Sequence, residues 1–428
     1  MSQSATDFEA MVAGGAAAPV AAAGEPQERF VSEPSYMPPQ PDEPVRRTLL
    51  MQAFVDTFTR RGARLGAAWI AIVVFFAVFA PFLASSFPVA MQMRDGRWLF
   101  PLFRNLYPID VVLVAVFFSV LGIALSRRLG LGASVMAVVA MSALVTLLAF
   151  WLTNPPKNIV YEEYRVQQAA GEITRAYHTL IPYSANDRMN DRPEDRLQAP
   201  SRVHWLGTTI FGEDMLSRMI HACRVALTIG LIATGISALI GIIVGGVMGY
   251  FAGTIDLMGM RILEIIQSIP RLILLLIITA SFGRSIYLMM IVIGLVSWTG
   301  DARFIRAEFL KLRKQDFVQA GIAAGLPLRS ILFKHMLPNG IAPVLVDASF
   351  GIAGAILLES TLSFLGLGLA PEDPSWGQLL NQARSGGTGF NWWIATFPGM
   401  AIFLTVFAYI LIGEAMRDAL DPKLLKRD

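Results

Sequence analysis

The chain has 428 residues, of which 54% are hydrophobic and only 16% are charged, and its mean hydropathy is +0.54. These values are typical of polytopic membrane proteins and exclude an ordinary soluble domain. The formal net charge of +3 is too small to indicate a nucleic-acid-binding protein, and the single cysteine, Cys223, excludes an internal disulfide and a cysteine-rich metal site. With only four scattered histidines, no metal site is predicted.

The N-terminal part of the chain changes character at about residue 46. Residues 1–45 are rich in Ala, Pro, Gly, Ser and acidic residues and lack an apolar period, so we predict a disordered tail that is not a signal peptide. An apolar run at 67–87 is long enough to cross a hydrocarbon core of ~30 Å. The arginines before it predict a cytoplasmic N-terminus; they are Arg46, Arg47, Arg60, Arg61 and Arg64.

Apolar runs of spanning length recur along the chain and predict an all-α polytopic bundle of about eight transmembrane helices. The predicted spans are 67–87, 109–126, 133–153, 225–249, 258–282, 285–298, 342–369 and 393–413. The chain then divides into an amphipathic lead with the first span and an external loop (46–108), an additional hairpin (109–153), an extracytoplasmic segment (154–217), a core of five spans (218–422) and a basic tail (423–428). Basic residues at 127–128 and in the tail predict that both termini are cytoplasmic.

A polar break at 308–339 lies between the sixth and seventh predicted spans, and we call it the 308–339 loop. Its basic residues predict a cytoplasmic position; they are Lys311, Arg313, Lys314, Arg329 and Lys334. Asp316 is a candidate N-cap of a short helix that ends at Ala324, with Gly325 as a C′ residue in a left-handed conformation.

A second short helix is predicted in the same loop, from Pro327 to Leu337-Pro338-Asn339. The first helix carries a small apolar stripe, which consists of Phe317, Ala320 and Ala324. Two short helices on a cytoplasmic loop fit a groove on a partner protein. The alternative is an ordinary basic loop with helical content.

Few polar residues fall inside the predicted spans, and we take them as candidates for a translocation path or for helix packing. Glu264 and Pro270 lie in the fifth span, and Glu359 and Ser363 lie in the seventh. A charge at the bilayer centre costs about 2.5–3.5 kcal/mol on insertion scales, so both carboxylates are expected to face other helices or the path. A purely structural hydrogen-bonding role stays open. A stripe of small residues in the fourth span permits close helix approach in membrane proteins of every kind; it consists of Gly241, Gly245 and Gly249.

The 308–339 loop resembles the EAA loop of ATP-binding-cassette (ABC) importer permeases, which has the pattern E-A-A-x3-G-x9-I-x-L-P. The matching positions run from Gln319-Ala320-Gly321 to Leu337-Pro338, and 335–339 is similar to the H-I-L-P-N ending of the peptide and nickel branch. The family's Glu is Gln319 here, and its second Ala is Gly321. Since glutamine carries no charge, Gln319 could not form the ion pair to the ATPase that a glutamate at this position could form. The resemblance implies contact with an ATPase through Asp316, Gln319, Ala320, Gly321, Gly325, Pro327, His335, Leu337 and Pro338.

Further sequence segments resemble those of peptide-type permeases. Residues 204–218 are similar to H-x-L-G-T-D-x-x-G-R-D-x-L-S-R, with Thr209 and Glu213 in place of the family's Asp and Arg. Residues 359–368 are similar to E-A-S-L-S-F-L-G-L-G, and 374–377 to P-x-W-G. The segment after the first span resembles that of Yej-type oligopeptide permeases. The external family block comprises Gly207, Thr208, Gly212, Asp214, Arg218, Trp376 and Gly377.

The resemblance covers about residues 200–422 and implies a type I ABC importer permease for peptides or related small solutes, in the bacterial cytoplasmic (inner) membrane. It implies a homologous second permease, two ATPase subunits and an extracytoplasmic solute-binding protein as partners within the lipid bilayer, and no nucleic acid. The sequence contains no G-x4-G-K-[ST] phosphate loop. The partner subunits would therefore bind the ATP, and this chain would hold no cofactor and have no catalytic residues.

Two other classes of function make different demands on the sequence. An ion-driven secondary transporter is expected to show a symmetric repeat and ion ligands at mid-membrane, and a membrane-embedded enzyme needs a nucleophile–base pair or a metal cluster. We find neither pattern. The solute stays open among oligopeptides, dipeptides, nickel chelates and peptide antibiotics. The role of the extra hairpin stays open between packing against lipid and binding an accessory partner.

Overall fold

The computed structural model describes residues 55–126, 131–152, 160–385 and 390–420. The predictions for the tail 1–45, for the arginines at 46–47 and 127–128 and for the tail 423–428 lie outside the described residues. The described chain is mostly helical. Apolar segments favour this structure in a membrane because a helix satisfies its own backbone N–H and C=O groups.

The helices and strands are numbered here in chain order. The helices are α1 (Arg61–Leu83), α2 (Pro101–Arg104), α3 (Pro108–Ser126), α4 (Leu131–Leu152), α5 (Glu163–Ala169), α6 (Met215–Phe251), α7 (Gly253–Gln267), α8 (Arg271–Phe282), α9 (Ile286–Leu312), α10 (Asp316–Ala323), α11 (Leu328–Ser330), α12 (Leu337–Phe364), α13 (Trp376–Ser385) and α14 (Trp392–Ala419). The strands are β1 (Ala90–Met93), β2 (Trp98–Leu99) and β3 (Ile173–Tyr177), with a 3-10 turn at Pro193–Asp195 and a π-helical segment at Ile331–Met336.

Five helices of the described chain are long and apolar enough to cross a membrane: α1, α6, α9, α12 from Pro343, and α14. The bent pair α7 and α8 counts as a sixth span if it crosses as one unit. The helical membrane fold is thus confirmed, whereas the count of eight spans stays a prediction. We call the end of the bundle that carries the 308–339 loop the loop end, and the opposite end the distal end.

The centre of the bundle is the contact between α6 and α9, which run in parallel. A Cβ atom placed on Gly249 would lie 2.6 Å from Cβ of Phe309, and one on Gly245 would overlap the carbonyl oxygen of Ala302. The small-residue stripe of α6 therefore lies directly against α9, where only glycine permits the observed approach of the two backbones.

The fifth predicted span, 258–282, is not one continuous helix. It consists of α7 and α8, which meet at an angle of 68°. Pro270 is the N-cap of α8. A proline has no N–H to continue the hydrogen bonds of the preceding helix, and it disfavours helical geometry at the residue before it. Pro270 was identified from the sequence, but the break that it causes was not predicted.

The extra hairpin consists of α3 and α4, and its first helix packs on the rest of the bundle. Phe79 of α1 and Phe117 of α3 are in edge-to-face contact, with ring centroids 5.4 Å apart. Asp110 in the first turn of α3 forms an ion pair with Arg224 of α6. Both contacts join the hairpin to helices of the main bundle.

A small antiparallel sheet at the distal end was not predicted. Its strand order is β2-β1-β3, with Met91 opposite both Leu99 and Ala176. The sheet joins the segment after α1 to the segment 160–217. Arg165 strengthens the same region because its guanidinium contacts the carboxylates of Asp187 and Asp191.

Several predicted span bounds differ from the helix bounds. The sixth predicted span, 285–298, is part of α9, which continues to Leu312 and so includes the first residues of the 308–339 loop. The fourth span was predicted to begin at 225, but α6 already begins at Met215, since Asp214 caps it there. The seventh was predicted to reach 369, but α12 ends at Phe364. Gly366 has φ +83°, and the N–H of Leu367 donates to the carbonyl of Leu362. This is the left-handed glycine termination of a helix.

Candidate functional site

The first helix of the 308–339 loop, α10, begins one residue earlier than an N-cap at Asp316 predicts. Asp316 is its first helical residue and not the N-cap, because Gln315 has an extended backbone with ψ 146°. The Gln315 side chain makes no capping hydrogen bond. Asp316 still lies in the first turn, where a carboxylate interacts favourably with the helix dipole.

The end of α10 confirms the prediction for Gly325. Its φ is +70°, and its N–H donates to the carbonyl of Ile322 over 3.0 Å. The N–H of Leu326 donates to the carbonyl of Gly321 over 3.1 Å. This pair of bonds is the Schellman motif, which turns the chain sharply and satisfies the last carbonyls of the helix.

The second helix of the loop does not end at Leu337-Pro338-Asn339, as was predicted. Pro327 caps α11, the chain continues through the π-helical segment Ile331–Met336, and α12 follows without a break. Pro338 in the first turn of α12 has no N–H to donate to an earlier carbonyl, and wider π-type turns are a known consequence of such a lost bond. The side chain of Asn339 donates to the carbonyl of His335 over 2.6 Å. The loop is therefore continuous with two long helices, α9 on one side and α12 on the other.

The two faces of α10 have different surroundings. Val318 is 1% exposed and belongs to an apolar cluster with residues of α9, of the π-helical segment and of α12. The other buried members of this cluster are Ile305, Phe309, Leu312, Ile331, Met336 and Val344. Phe317 is 41% exposed, and the rest of the predicted stripe, Ala320 and Ala324, is also exposed. One face thus anchors the helix to its own bundle, while the other is uncovered in this chain.

Gln319, which stands where the family has Glu, forms a bond that a glutamate cannot form. Its Nε2 donates to the carbonyl oxygen of Arg313 over 2.8 Å, whereas a carboxylate only accepts. Nη1 of Arg313 in turn donates to the carbonyl oxygen of Phe251, the last residue of α6, over 3.3 Å. These bonds link α10 to the ends of α9 and α6. At Gly321, a Cβ would lie 3.5 Å from Cδ1 of Leu326, an ordinary contact, so the family's alanine would fit.

The two intramembrane glutamates have different environments. Glu359 is buried in α12 and accepts hydrogen bonds from Ser363 (2.7 Å) and Ser360 (3.2 Å). The helix that carries Glu359, α12, lies directly against Gly377, since a Cβ atom on Gly377 would overlap the backbone of Ser360. Glu264 lies on the exposed side of α7 and pairs with Arg261 over 2.7 Å. The structure therefore brings Glu359, Ser363 and Gly377 together but places Glu264 elsewhere.

The external family block forms a buried polar cap at the start of α6. Asp214 caps this helix by accepting from the N–H of Ser217 over 2.8 Å, and it also contacts Nδ1 of His204 over 2.9 Å. Arg218 is fully buried and pairs with Glu213 over 2.6 Å. Asp214 and Arg218, the two ionisable residues of the block, thus both have polar partners within the chain.

Backbone turns and one indole complete this cap. Gly207 and Gly212 have φ +81° and +82°, so both turns require the left-handed region that favours glycine. Trp393 of α14 donates its indole N–H to the carbonyl of Thr208 over 3.2 Å. Trp376 of α13 donates to the carbonyl of Met219 over 3.3 Å. These contacts join α6, α13 and α14 at the distal end.

A polar group that sequence reasoning missed lies within the bundle. Asp301 of α9 accepts a hydrogen bond from Ser237 of α6. Together with Asp347 and Thr234 it lines a small cavity of about 10 Å³. The signal available in the sequence was the carboxylate of Asp301, which lies just after the predicted span 285–298 and before the 308–339 loop. Among the described residues, no group of three or more His, Cys, Asp or Glu could hold a metal ion.

A bundle of apolar helices with a bent span, a helical loop at one end and a sealed polar cap at the other defines a polytopic membrane protein. Residues 239–426 match the family described as "Binding-protein-dependent transport system inner membrane component". The chain belongs to this family and is the permease subunit of an ABC importer.

Several curated relatives carry more specific names. The chain is 40% identical over 220 residues to the oligopeptide transport system permease protein OppC of Haemophilus influenzae, a match that covers 51% of this chain and 70% of the relative. It is 37% identical over 232 residues to the dipeptide transport system permease protein DppC of Alkalihalophilus pseudofirmus, covering 54% and 76%. It is 35% identical over 246 residues to the glutathione transport system permease protein GsiD of Pectobacterium atrosepticum, covering 57% and 80%.

Proposed function

We propose that the 308–339 loop couples this permease to separate ATPase subunits, and that the solutes it carries are peptides. The main observation behind the coupling proposal is that the two faces of α10 have different surroundings. Its Val318 face packs in an apolar cluster of the same bundle, while its Phe317 face is uncovered. An apolar helical face with small residues at its centre suits a groove on another protein, as in other helix-in-groove contacts.

The loop is built to transmit a displacement to the bundle. A partner that moves α10 also moves α9, because Val318 and Gln319 attach the two helices to each other. It also moves α12, since the chain passes from α11 to α12 without a non-helical break. At about 1.5 Å per residue, α12 extends ~40 Å from the loop toward the distal end. Alternating access would then follow from tilting these helices together.

The ATP would be bound by the partner subunits, and no residue of this chain would hold a cofactor. Two ATPase subunits, a homologous second permease and an extracytoplasmic solute-binding protein would complete the importer. The names of the relatives support small peptides as the solute class. Glu264 and Pro270 on the exposed side of the bent pair, and Glu359 with Ser363 inside the bundle, stay candidates for contact with the path or with the second permease.

The basic loop at 308–339 supports an orientation with this loop and both termini in the cytoplasm. The segment 160–217 would then lie outside. Arg175 on β3 is exposed, so a single cysteine there, in a Cys223→Ser background, should react with an impermeant thiol reagent in intact cells. Reaction only after the cells are opened would reverse the orientation.

The coupling proposal is tested by placing a charge on the uncovered face of α10. Ala320 is exposed, so Ala320→Arg should leave abundance in the membrane nearly normal. We expect the ATPase subunits to be lost from the purified complex and peptide uptake to fall more than about tenfold, because a desolvated charge opposes docking.

Ala169→Arg is the matched control, since it places the same charge on the exposed end of the short helix α5. Uptake should stay normal in the control. Normal uptake and a bound ATPase in Ala320→Arg would show that this face does not couple.

A further inference from the structure

A cavity of about 580 Å³ lies at the distal end, between the extra hairpin and the main bundle. Its walls come from the end of α1, the start of α3, the outer turns of α6, the first turns of α9 and the segment at 184–186. Its volume is in the range of about 300–1,000 Å³ that ligand pockets occupy. No part of the permease mechanism described above uses it.

Three polar atoms at this cavity have no hydrogen-bond partner within the described chain: Nη2 of Arg224, Nδ1 of His221 and Oδ1 of Asn186. All three belong to residues that line the cavity and are shielded from solvent. Buried polar groups in proteins are nearly always paired, and an unpaired one costs about 1–3 kcal/mol. The set offers a donor on Arg224, an acceptor on Asn186 and an imidazole that serves as either.

The charges at the cavity are nearly balanced. Arg224 is already paired with Asp110, and Asp373 adds a second carboxylate to the lining. Burial raises the pKa of Tyr161 to about 12, so this phenol stays neutral. A ligand with a net negative charge therefore gains little here. A zwitterion fits better, with an anionic group for Arg224 and His221 and a cationic group for Asn186 and Asp373.

Part of the cavity's lining is formed by residues that are also exposed on the outer surface of α3, α6 and α9, and we call this side the mouth. It is lined by Ile109, Ile232 and Tyr287, which are 54%, 44% and 74% exposed in this chain. Ile109, Arg224 and Ile286 stand at or next to the first residues of three predicted spans, 109–126, 225–249 and 285–298. The polar part of the cavity thus lies at headgroup depth, and the mouth faces acyl chains.

From these observations we infer that the cavity binds a zwitterionic glycerophospholipid of the phosphatidylethanolamine type. Its phosphate contacts Arg224 and His221, its ammonium group contacts Asn186 and Asp373, and its acyl chains leave through the mouth between α3 and α9. The extra hairpin then has a defined role, because Asp110 and Ile109 of α3 close one side of a lipid site on the core of the permease.

The wild-type protein provides the first test. The full chain is purified in mild detergent, placed in nanodiscs with equal amounts of phosphatidylethanolamine and phosphatidylglycerol, and analysed for retained lipid by native mass spectrometry. We expect one tightly held phosphatidylethanolamine, retained at least about fivefold over phosphatidylglycerol. Equal retention of the two lipids overturns the zwitterion assignment. Displacement by soluble glycerophosphoethanolamine at the same concentration would show that a water-soluble solute, not a lipid, is the ligand.

Two variants then locate the lipid, and both leave the Arg224–Asp110 pair intact. His221→Phe and Asn186→Leu should each lower retention of phosphatidylethanolamine by roughly tenfold, the effect of losing one hydrogen bond to a charged group. His178→Phe makes the same exchange at an exposed histidine outside the cavity and should retain the lipid like the wild type. Unchanged retention in either folded variant, or an equal loss in the control, overturns the site. If a variant does not fold, the headgroup preference of the wild type decides alone.

Discussion

The two ends of the bundle are stabilised by different interactions. At the distal end, buried charges are paired within the chain, as Arg218 is with Glu213 and Asp214 with His204. At the loop end, α10 is held by apolar packing of Val318 and by single hydrogen bonds, and its other face is uncovered. A region whose buried ionisable side chains are paired with one another behaves as a rigid part of the fold, whereas an uncovered apolar face needs a partner. The contrast predicts that substitutions at the distal end affect folding and that those on the uncovered face of α10 affect coupling.

The largest effect on stability is expected from Arg218→Met. The substitution removes the nearest cation of the buried Glu213, which keeps only the half-exposed Arg188 at 3.7 Å and the Thr209 hydroxyl. Removal of one member of a buried ion pair costs about 3–5 kcal/mol. We expect a large fall in the apparent unfolding temperature in detergent and in abundance in the membrane. Arg97→Met is the matched control because Arg97 pairs with Asp95 on the surface over 3.3 Å, and such pairs contribute only about 0–1 kcal/mol. Equal effects of the two substitutions would remove the distinction between a sealed distal end and an ordinary surface.

Adjacent residues of α10 provide the sharpest test of its two faces. Val318→Ala deletes buried methyl groups and should lower stability by about 1.5–2.5 kcal/mol. Phe317→Ala removes a half-exposed ring and should change stability by less than about 0.5 kcal/mol, yet it should release the ATPase and reduce uptake. Unfolding temperature and co-purification of the ATPase measure the two effects separately. A variant at Phe317 that lost stability but kept the ATPase would reverse the assignment of the faces.

The sequence predicted features that depend on local chemistry. Gly325 was recognised as a C′ residue because a glycine after a short amphipathic segment has few other roles, and the apolar runs identified the membrane helices. Contacts between distant segments were not predictable from periodicity. The sheet of β1, β2 and β3 joins strands more than seventy residues apart, and the pair of Arg224 with Asp110 joins a core helix to the extra hairpin.

Other differences between prediction and structure concern where helices end and where they continue. Pro270 was seen as part of a polar patch, but the 68° bend follows from its missing N–H together with packing on both sides. The second helix of the loop was predicted to stop at Leu337-Pro338-Asn339, because a proline is often a boundary. In the first turn of a helix, however, a proline is tolerated, and α12 begins there.

Two glycines of the loop should respond to alanine with opposite signs. Gly325 has φ +70°, and no atom of the described chain lies within 4 Å of the point that a Cβ would occupy. Gly325→Ala should therefore cost about 1 kcal/mol through backbone strain alone. Gly321 lies inside α10 with room for a methyl group, so Gly321→Ala should stabilise the loop by up to about 1 kcal/mol. Hydrogen exchange of the α10 amides measures both changes. The same sign for both would mean that the turn at Gly325 does not control the stability of α10.

The smallest effect is expected from the ion pair that joins α5 to the distal segment. Nη2 and Nε of Arg165 contact the two oxygens of Asp191 over 2.8 and 3.0 Å, and these hydrogen bonds lower the pKa of Asp191 below its ordinary value. A carboxylate whose folded pKa is lowered stabilises the fold above its unfolded pKa of about 3.9, and this contribution is lost as the pH falls through the folded pKa.

Asp191→Asn removes the charge at nearly constant size. Since the pair is partly exposed, we expect the variant to be less stable than the wild type by no more than about 1 kcal/mol at pH 7. The difference should persist down to about pH 4 and then shrink, because the wild-type carboxylate becomes protonated while the amide does not titrate. Apparent unfolding temperatures of both proteins between pH 7 and pH 3 measure this. A difference that stayed constant below pH 4 would mean that Asp191 acts at the distal end through its shape and hydrogen bonds, and that its charge contributes nothing to the stability of that end.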